Sequence, residues 1–525
     1  MVSKKIHWLI LIAVIVLAAI LRFWDLTGNP PGLNWDEVSH SYNAYSLLKT
    51  GRDQWGQAFP FPNFRAYGDY PTVLNLYMTV PAVAILGPTD FAARFPHALL
   101  GVLSCLLIFT AAYYWSKHKC LSLFAAFLYA VSPWTLFPSR AVFQSNWSVF
   151  LLTLGLALYF SRHKLHSLWI FMLSLLAYHN TRIFIPMILP FVVYPLRKNL
   201  QQLTAGILVF LLSVILLLSP EVRARNSWVG IVDSGAIAYL EQSRNLSKLT
   251  PELSRLIYNR PVYFVSKLAK NYFGYFSPQF LFFKGGTQYQ FSVPGFGLIN
   301  PVLAPFFYLG VIVFIKRRQY LLLAWLVLSP LPAAITRDPY AVIRSTTMLP
   351  VIVLAVSAGL LYVSGFLKRR WHTLFWSTFL VLFSLSGYYY SYFKDYPRDF
   401  SRDWQYGYKQ LVEYIKPKFS EYDRIVITKY YAEPHEYVLW YWPWDPAAYL
   451  QDKMLSTSFH SDWYWVDRFS KFEFINDWEM AEYVENISPE EKVLVITSPG
   501  TPTLGRDVAK INFLNGKTAF IIKDI

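Results

Sequence analysis

Residues 6–24 read IHWLILIAVIVLAAILRFW, an almost unbroken apolar run preceded by Lys4 and Lys5. At a helical rise of 1.5 Å per residue it is long enough to cross a bilayer. It has no convincing small-x-small cleavage site, and its core exceeds the short apolar region of a signal peptide. The pattern predicts a retained first membrane helix. Shortly after it, residues 32–40 read GLNWDEVSH, so two adjacent carboxylates, Asp36 and Glu37, fall where the chain leaves the membrane. Asn34 with Glu37 three residues on fits a capping box, and acids suit a helix N-terminus. The same position suits chemistry at the membrane surface, and capping does not exclude catalysis.

Working outward, the 525-residue chain is 54% hydrophobic and 18% aromatic but only 15% charged. Average soluble domains carry about a quarter charged residues, so lipid is part of this chain's solvent. A net charge of +16 would point a soluble chain toward nucleic acid. Here the basic residues sit in clusters between apolar runs, which assigns them to a membrane face instead. Cys105 and Cys120 lie in or beside apolar segments and exclude a disulfide-stapled scaffold.

Apolar runs recur near 8–24, 75–87, 97–115, 121–138, 147–160, 167–178, 183–196, 203–219, 296–315, 320–335, 346–365 and 372–391. The 75–87 run is short and contains Pro81, so it is read together with 97–115 as one entry region, giving about eleven spans. Six basic clusters then fall on one side: Lys4-Lys5, Lys117 to Lys119, Arg162 to Lys164, Arg197-Lys198, Lys316 to Arg318 and Lys368 to Arg370. The positive-inside rule makes that side cytoplasmic. The expected fold is a mainly α, polytopic membrane protein with its N-terminus cytoplasmic, integral to the plasma membrane. Residues 1–391 form the membrane part, with external loops 25–96 and 221–295. Residues 392–525 form a small extracytoplasmic α/β domain, because RIVIT, KVLVIT and AFIIK read as short buried strands. Within the second loop, LSRLIYNRPVYFVSKLAKNYF (253–273) alternates aromatics with Arg255, Arg260, Lys267 and Lys270, a pattern that fits helices lying in the interface and equally fits ordinary packed loops under a lid.

The external face collects ionisable and polar residues close to apolar segments: Asp36, Glu37, His40, Asp69, Arg94, Arg140, Gln144, His179, Arg182, Arg337, Asp338 and Arg344. Such groups near membrane depth are costly and mark sites or partner pairs. Arginine predominates over lysine, and a planar guanidinium matches phosphate bidentately. Arginines beside one or two carboxylates, opening toward lipid, suit a lipid-phosphate substrate attacked by an activated hydroxyl. Structural roles compete: Arg94 is placed to bridge Asp90 four residues earlier, and Arg182 and Arg344 to reach headgroups. No spacing of His, Asp or Glu is a strong metal signature. There is no Walker A loop, GxSxG elbow, HExxH or strand-following GxGxxG, and the glycines of KGGTQ (284–288) are too weak a signal for a phosphate cradle. A transporter is expected to show repeated halves and interrupted helices at mid-membrane, whereas these polar residues gather at one face. A lipid-linked-sugar flippase or polysaccharide export component is the alternative to an enzyme.

Six motifs in order carry a family resemblance: GLNWDEVSHSYNAYSLLKTG, AYGDYPTVLNLYMTVPA, FAARFPHALLGVLS, SPWTLFPSRAVFQSNW, YHNTRIFIP and RDPYAVIRSTTMLP. Over about 1–390 the chain resembles the GT-C superfamily of polytopic glycosyltransferases, in particular bacterial relatives of protein O-mannosyltransferases and of the transferases that add aminoarabinose to lipid A. The resemblance implies a polyprenyl-phosphate sugar donor and an extracytoplasmic acceptor, which is a protein, lipid or glycan. It implies Asp36 as general base with Glu37 as neighbour, and Asp69 as a second acidic position. Arg344 and Arg182 would hold donor phosphate, with Arg140, Arg337, Arg94, His40 and His179 as further substrate contacts. Tyr70 stands where relatives carry a basic residue, a contact that Lys284 or Arg337 would supply. Gln144 stands where relatives commonly carry a carboxylate, which removes one acid that would serve a divalent cation. No cofactor is certain from the sequence, a divalent cation being the possible one, and no nucleic-acid partner is expected.

Overall fold

The computed structural model describes residues 4–366, 370–460 and 463–525, so Lys368 and Arg369 of the last basic cluster lie outside the described residues. The chain is mainly helical, with a mixed seven-stranded sheet near its C-terminus.

Every apolar run contains helix, but proline and local breaks shorten many of them. Among the described residues, Lys5–Phe23, Asp90–Ser116, Leu200–Leu217 and Thr346–Gly365 are long and apolar enough to cross a membrane. A fifth crossing needs Lys119–Val131 together with Pro133–Arg140, a pair bent by 64°. The break is at Ser132, which is extended (φ −67°, ψ 137°) because a residue before proline avoids the α region. Val73–Leu86, His179–Val193, Pro301–Lys316 and Tyr320–Ala334 are shorter apolar helices. Against the eleven spans expected from hydropathy, length and composition therefore support four or five outright. The 75–87 run, read as part of an entry region, forms its own helix, Val73–Leu86, ended by Gly87 in a positive-φ conformation.

By packing, the chain divides into two compact units. The first comprises Met1–Trp24, Ala98–Ser139 and Phe143–Tyr388. Within it, helices Ala304–Lys316 and Leu349–Phe366 approach so closely that a Cβ at Gly310 would overlap the Ala355 carbonyl. One at Gly359 would overlap the Phe306 carbonyl. Small residues allow this backbone approach, on which van der Waals packing between membrane helices depends. In the first helix, fully buried Arg22 donates to the carbonyls of Ala130 (3.0 Å) and Tyr129 (3.2 Å). Those carbonyls belong to the last turn of Lys119–Val131, where no intrahelical donor remains.

The second unit comprises Asp25–His97, Arg140–Val142 and Tyr389–Ile525. Its strands are β1 (Arg424–Thr428), β2 (Ser456–His460), β3 (Trp463–Phe469), β4 (Phe472–Ile475), β5 (Val493–Thr497), β6 (Arg506–Asn512) and β7 (Thr518–Asp524), in spatial order 2-3-4-1-5-7-6. β1 runs parallel to β4 and β5, and the other pairings are antiparallel. Both central strands are buried nearly throughout, as expected of strands covered on both faces. Alternation sends Ile425, Ile427, Leu494 and Ile496 to one face and Val426, Val493 and Val495 to the other, where Met480 and Val484 cover them. The first face shares its core with Leu33, Val38, Tyr42, Leu47, Phe64 and Leu76, so the loop after the first helix and the tail bury one another's apolar surface.

Candidate functional site

The acidic candidates lie in the second unit. Helix Trp35–Thr50 begins with the expected capping box: the Asn34 side chain accepts from the Glu37 amide (3.1 Å), and Glu37 Oε2 accepts from the Asn34 amide (3.0 Å). Glu37 is fully buried and accepts three further bonds, from Arg94 Nε and Nη2 (both 2.9 Å) and from the Val142 amide (3.0 Å). Its partner Arg94 is saturated as well. The remaining Arg94 N–H groups reach the carbonyls of Leu26 (3.0 Å), Pro30 (2.8 Å) and Gly32, so all five donors of the guanidinium are used within the protein. The Asp90–Arg94 bridge considered from spacing does not form, because Asp90 pairs instead with Lys409 Nζ at 3.0 Å.

Asp36, one position earlier, is exposed on the same helical turn. One turn on, His40 Nδ1 lies 2.8 Å from the Asp36 carbonyl oxygen, and its ring packs edge-on to Phe64 at 5.1 Å. Burial lowers the His40 pKa to about 4, against opposing contributions from that hydrogen bond and the Asp69 charge, so the ring is neutral at neutral pH. Asp69 is half-buried in a tight reversal. Ala66 and Asp69 exchange backbone hydrogen bonds (3.0 and 2.8 Å), and the Asp69 carboxylate accepts from the Tyr70 amide at 2.8 Å. Tyr67 at the reversal's tip has φ 54°; its hydroxyl donates to the Trp35 carbonyl at 2.8 Å and its ring stacks on Trp463 of β3 at 5.4 Å. These contacts hold the Asp69 turn against the start of the helix that carries Asp36. Arg140, also in this unit and buried, gives Nε and Nη2 to the Asn29 carbonyl (3.2 and 2.8 Å) and Nη2 to that of Asp25 (3.0 Å), beneath the Phe393 ring.

The arginine candidates of the first unit meet elsewhere. His179 opens helix His179–Val193, and Arg182 follows one turn later, fully buried. Arg182 Nε donates to the Leu175 carbonyl (2.9 Å) and Nη1 lies 3.4 Å from His179 Nδ1. Arg344 donates to Asp338 (2.8 Å) and Thr336 (3.2 Å), and its carbonyl accepts from Asn180 at 3.3 Å. His179, Asn180, Arg182, Arg225, Thr336 and Arg344 line a cavity of about 70 Å³. Its donors are guanidinium, imidazole and amide groups, a set suited to phosphate oxygens.

The remaining predicted residues lie apart from this cavity. Arg337 is half-exposed and pairs with Asp233 at 3.3 Å, and Lys284 is exposed after the short helix Gln279–Phe283. Gln144, buried, begins helix Gln144–Phe160. Sequence reasoning did not single out Arg225, Asn180 or Tyr67; the arginine pair in PEVRARN (220–226) was the available signal for the first. Among the described residues no group of three His, Cys, Asp or Glu side chains is arranged to hold a metal ion.

No family model and no curated protein matches the chain. Among solved structures it is similar to the Archaeoglobus fulgidus oligosaccharyltransferase tethered with an acceptor peptide, at 15% identity over 83% of this chain, with a TM-score of 0.48. The chain spans 59% of the length of that protein. It is also similar to ArnT from Cupriavidus metallidurans bound to undecaprenyl phosphate, at 10% identity over 100% of this chain and 98% of that one, with a TM-score of 0.44.

Proposed function

We propose that the chain is an inverting membrane glycosyltransferase that moves a sugar from a polyprenyl-phosphate donor to a hydroxyl of an extracytoplasmic acceptor. The observation that carries this reading is the division of labour between two adjacent acids. Glu37 spends its carboxylate on four hydrogen bonds, while Asp36 beside it is exposed. In this reading Asp36 takes the proton from the acceptor hydroxyl as the oxygen attacks the anomeric carbon. The bond from that carbon to the phosphate oxygen breaks, and its electron pair leaves with the polyprenyl phosphate. In-line displacement inverts the centre. A phosphate departs as a stable anion, so a paired general acid is unnecessary, unlike hydrolysis with its two carboxylates. In the first unit, Arg182 and Arg344, with Arg225, supply the guanidinium donors suited to a lipid phosphate. Asp69 and neutral His40 shape the surroundings of the base. Glu37, Arg94 and Arg140 act as positioning residues, since their polar atoms are bound to protein partners. In this reading the chain lies in the plasma membrane with its N-terminus cytoplasmic and its tail outside, an orientation that the positive-inside rule supports.

The purified chain, given a polyprenyl-phosphate sugar and acceptor-bearing envelope extract, is expected to release polyprenyl phosphate and form a linkage of inverted configuration. Movement of the donor across liposomes without such release would make it a flippase instead.

A further inference from the structure

Helix Arg260–Gly274 has an apolar face that the protein leaves uncovered. Asn259 caps its start, accepting from the Val262 amide at 2.9 Å. Asn271 fixes which side is held down: it is buried and donates to the carbonyls of Thr336 (2.8 Å) and Ala334 (3.2 Å). Away from that anchor, Val262, Val265, Ala269 and Phe273 recur at helical spacing, and Val265 and Phe273 are 62% and 70% exposed. The preceding helix Pro251–Ile257 exposes Leu253, Leu256 and Ile257 in the same way. With 15 residues that include Arg260, Lys267 and Lys270, the longer helix is too short and too charged to span a bilayer.

The charge around this face is one-sided. Between 246 and 274 the cations Lys248, Arg255, Arg260, Lys267 and Lys270 are balanced only by Glu252. An exposed apolar stripe with Lys270 beside it and further cations on the helix's other sides, on a chain with several membrane-length helices, matches a helix lying in the headgroup region with its apolar side in the acyl boundary. We infer that helices Pro251–Ile257 and Arg260–Gly274 form an in-plane docking surface for acidic phospholipids, with Arg255, Arg260, Lys267 and Lys270 on the headgroups. This surface is independent of the sugar-transfer reading.

The test uses the full chain in nanodiscs of mixed acidic and zwitterionic phospholipid. Val265→Cys and Lys267→Cys carry a fluorophore in a Cys120→Ala background, Cys105 being buried. Lipid-borne nitroxide is expected to quench the label at 265, and an aqueous quencher the label at 267. Independently of any label, phospholipid extracted with the wild-type protein is expected to be enriched in the acidic species. That enrichment should fall about fivefold or more in an R255Q/R260Q/K267Q/K270Q variant that elutes as a folded species, since one cation near an anionic surface already supplies about that factor. Aqueous quenching at both positions would overturn the inference. So would protection at 265 that requires cross-linking to a second copy or a protein partner, or lipid quenching with no acidic preference.

Discussion

Arg94 and Glu37 meet in a two-point contact, Nε to Oε1 and Nη2 to Oε2, each 2.9 Å long, with neither side chain exposed to solvent. The pair joins residues 57 positions apart and locks the start of the helix that presents Asp36. A buried pair of this kind adds little over a well-packed apolar substitute, but removing one partner leaves a buried charge uncompensated.

Glu37→Gln and Arg94→Ala are therefore expected to lower stability by about 3–5 kcal/mol. Thermal melts of the detergent-purified variants check this, and a melt matching wild type would show the pair to be dispensable. Loss of transfer in these variants would follow the loss of folded protein.

Arg182→Ala and Arg344→Ala are expected to raise the KM for the lipid-linked donor about tenfold to a hundredfold, the range of a charged hydrogen bond worth about 1.5–3 kcal/mol. Arg337→Ala, altering a half-exposed side chain outside the cavity, is expected to change it by less than about fivefold, in keeping with a surface ion pair worth at most about 1 kcal/mol. Donor titrations of the three variants decide; equal effects at 337 and 344 would remove the cavity from the account.

Gly310→Val and Gly359→Val each place a side chain into an opposing helix backbone. Overpacking of this kind costs about 1–3 kcal/mol or more. The expected outcome is a reduced yield of monodisperse protein, read by size exclusion, with each glycine affected alike because both lie at one helix contact.

In the second unit, burial raises the pKa of Glu433 and Glu436 to about 8, while burial lowers that of His435 to about 3. The folded state holds the two glutamate protons that the unfolded chain gives up at ordinary carboxylate pKa values. Their contribution to stability is complete below about pH 4.5 and is lost as pH rises through about 8. His435 works the opposite way, but only between about 3 and its ordinary 6.5. Between about pH 6.5 and 8 the glutamates act without it, so the tail's melting temperature should fall over that interval. Glu436→Gln should flatten the slope, and an unchanged slope would deny the buried pair its role.

The sequence made the helices legible because apolar runs carry their own signal, and it revealed RIVIT, KVLVIT and AFIIK because central strands are apolar throughout. The runs did not disclose their lengths: Pro133 and Pro330 lie where apolar composition continues but the helix breaks. β2, β3, β4 and β6 escaped notice because their residues are short in number, aromatic or half-exposed, without clean alternation. At the site, the Asn34–Glu37 cap was readable from local spacing. Glu37 with Arg94 was not, since that contact depends on tertiary structure and competed with a plausible local partner, Asp90. Glu433, His435 and Glu436 look like a solvated EPHE turn in sequence, and only packing buries them.

The central claim is that Asp36 is the base. Its most direct test is the rate of sugar transfer from a polyprenyl-phosphate donor by Asp36→Asn, measured beside its melting temperature. The account predicts a loss of about a hundredfold or more, the scale of general-base catalysis, with the melt lowered only by the small contribution of an exposed first-turn acid, about 0.3–1 kcal/mol. Transfer at the wild-type rate by the folded variant would contradict it.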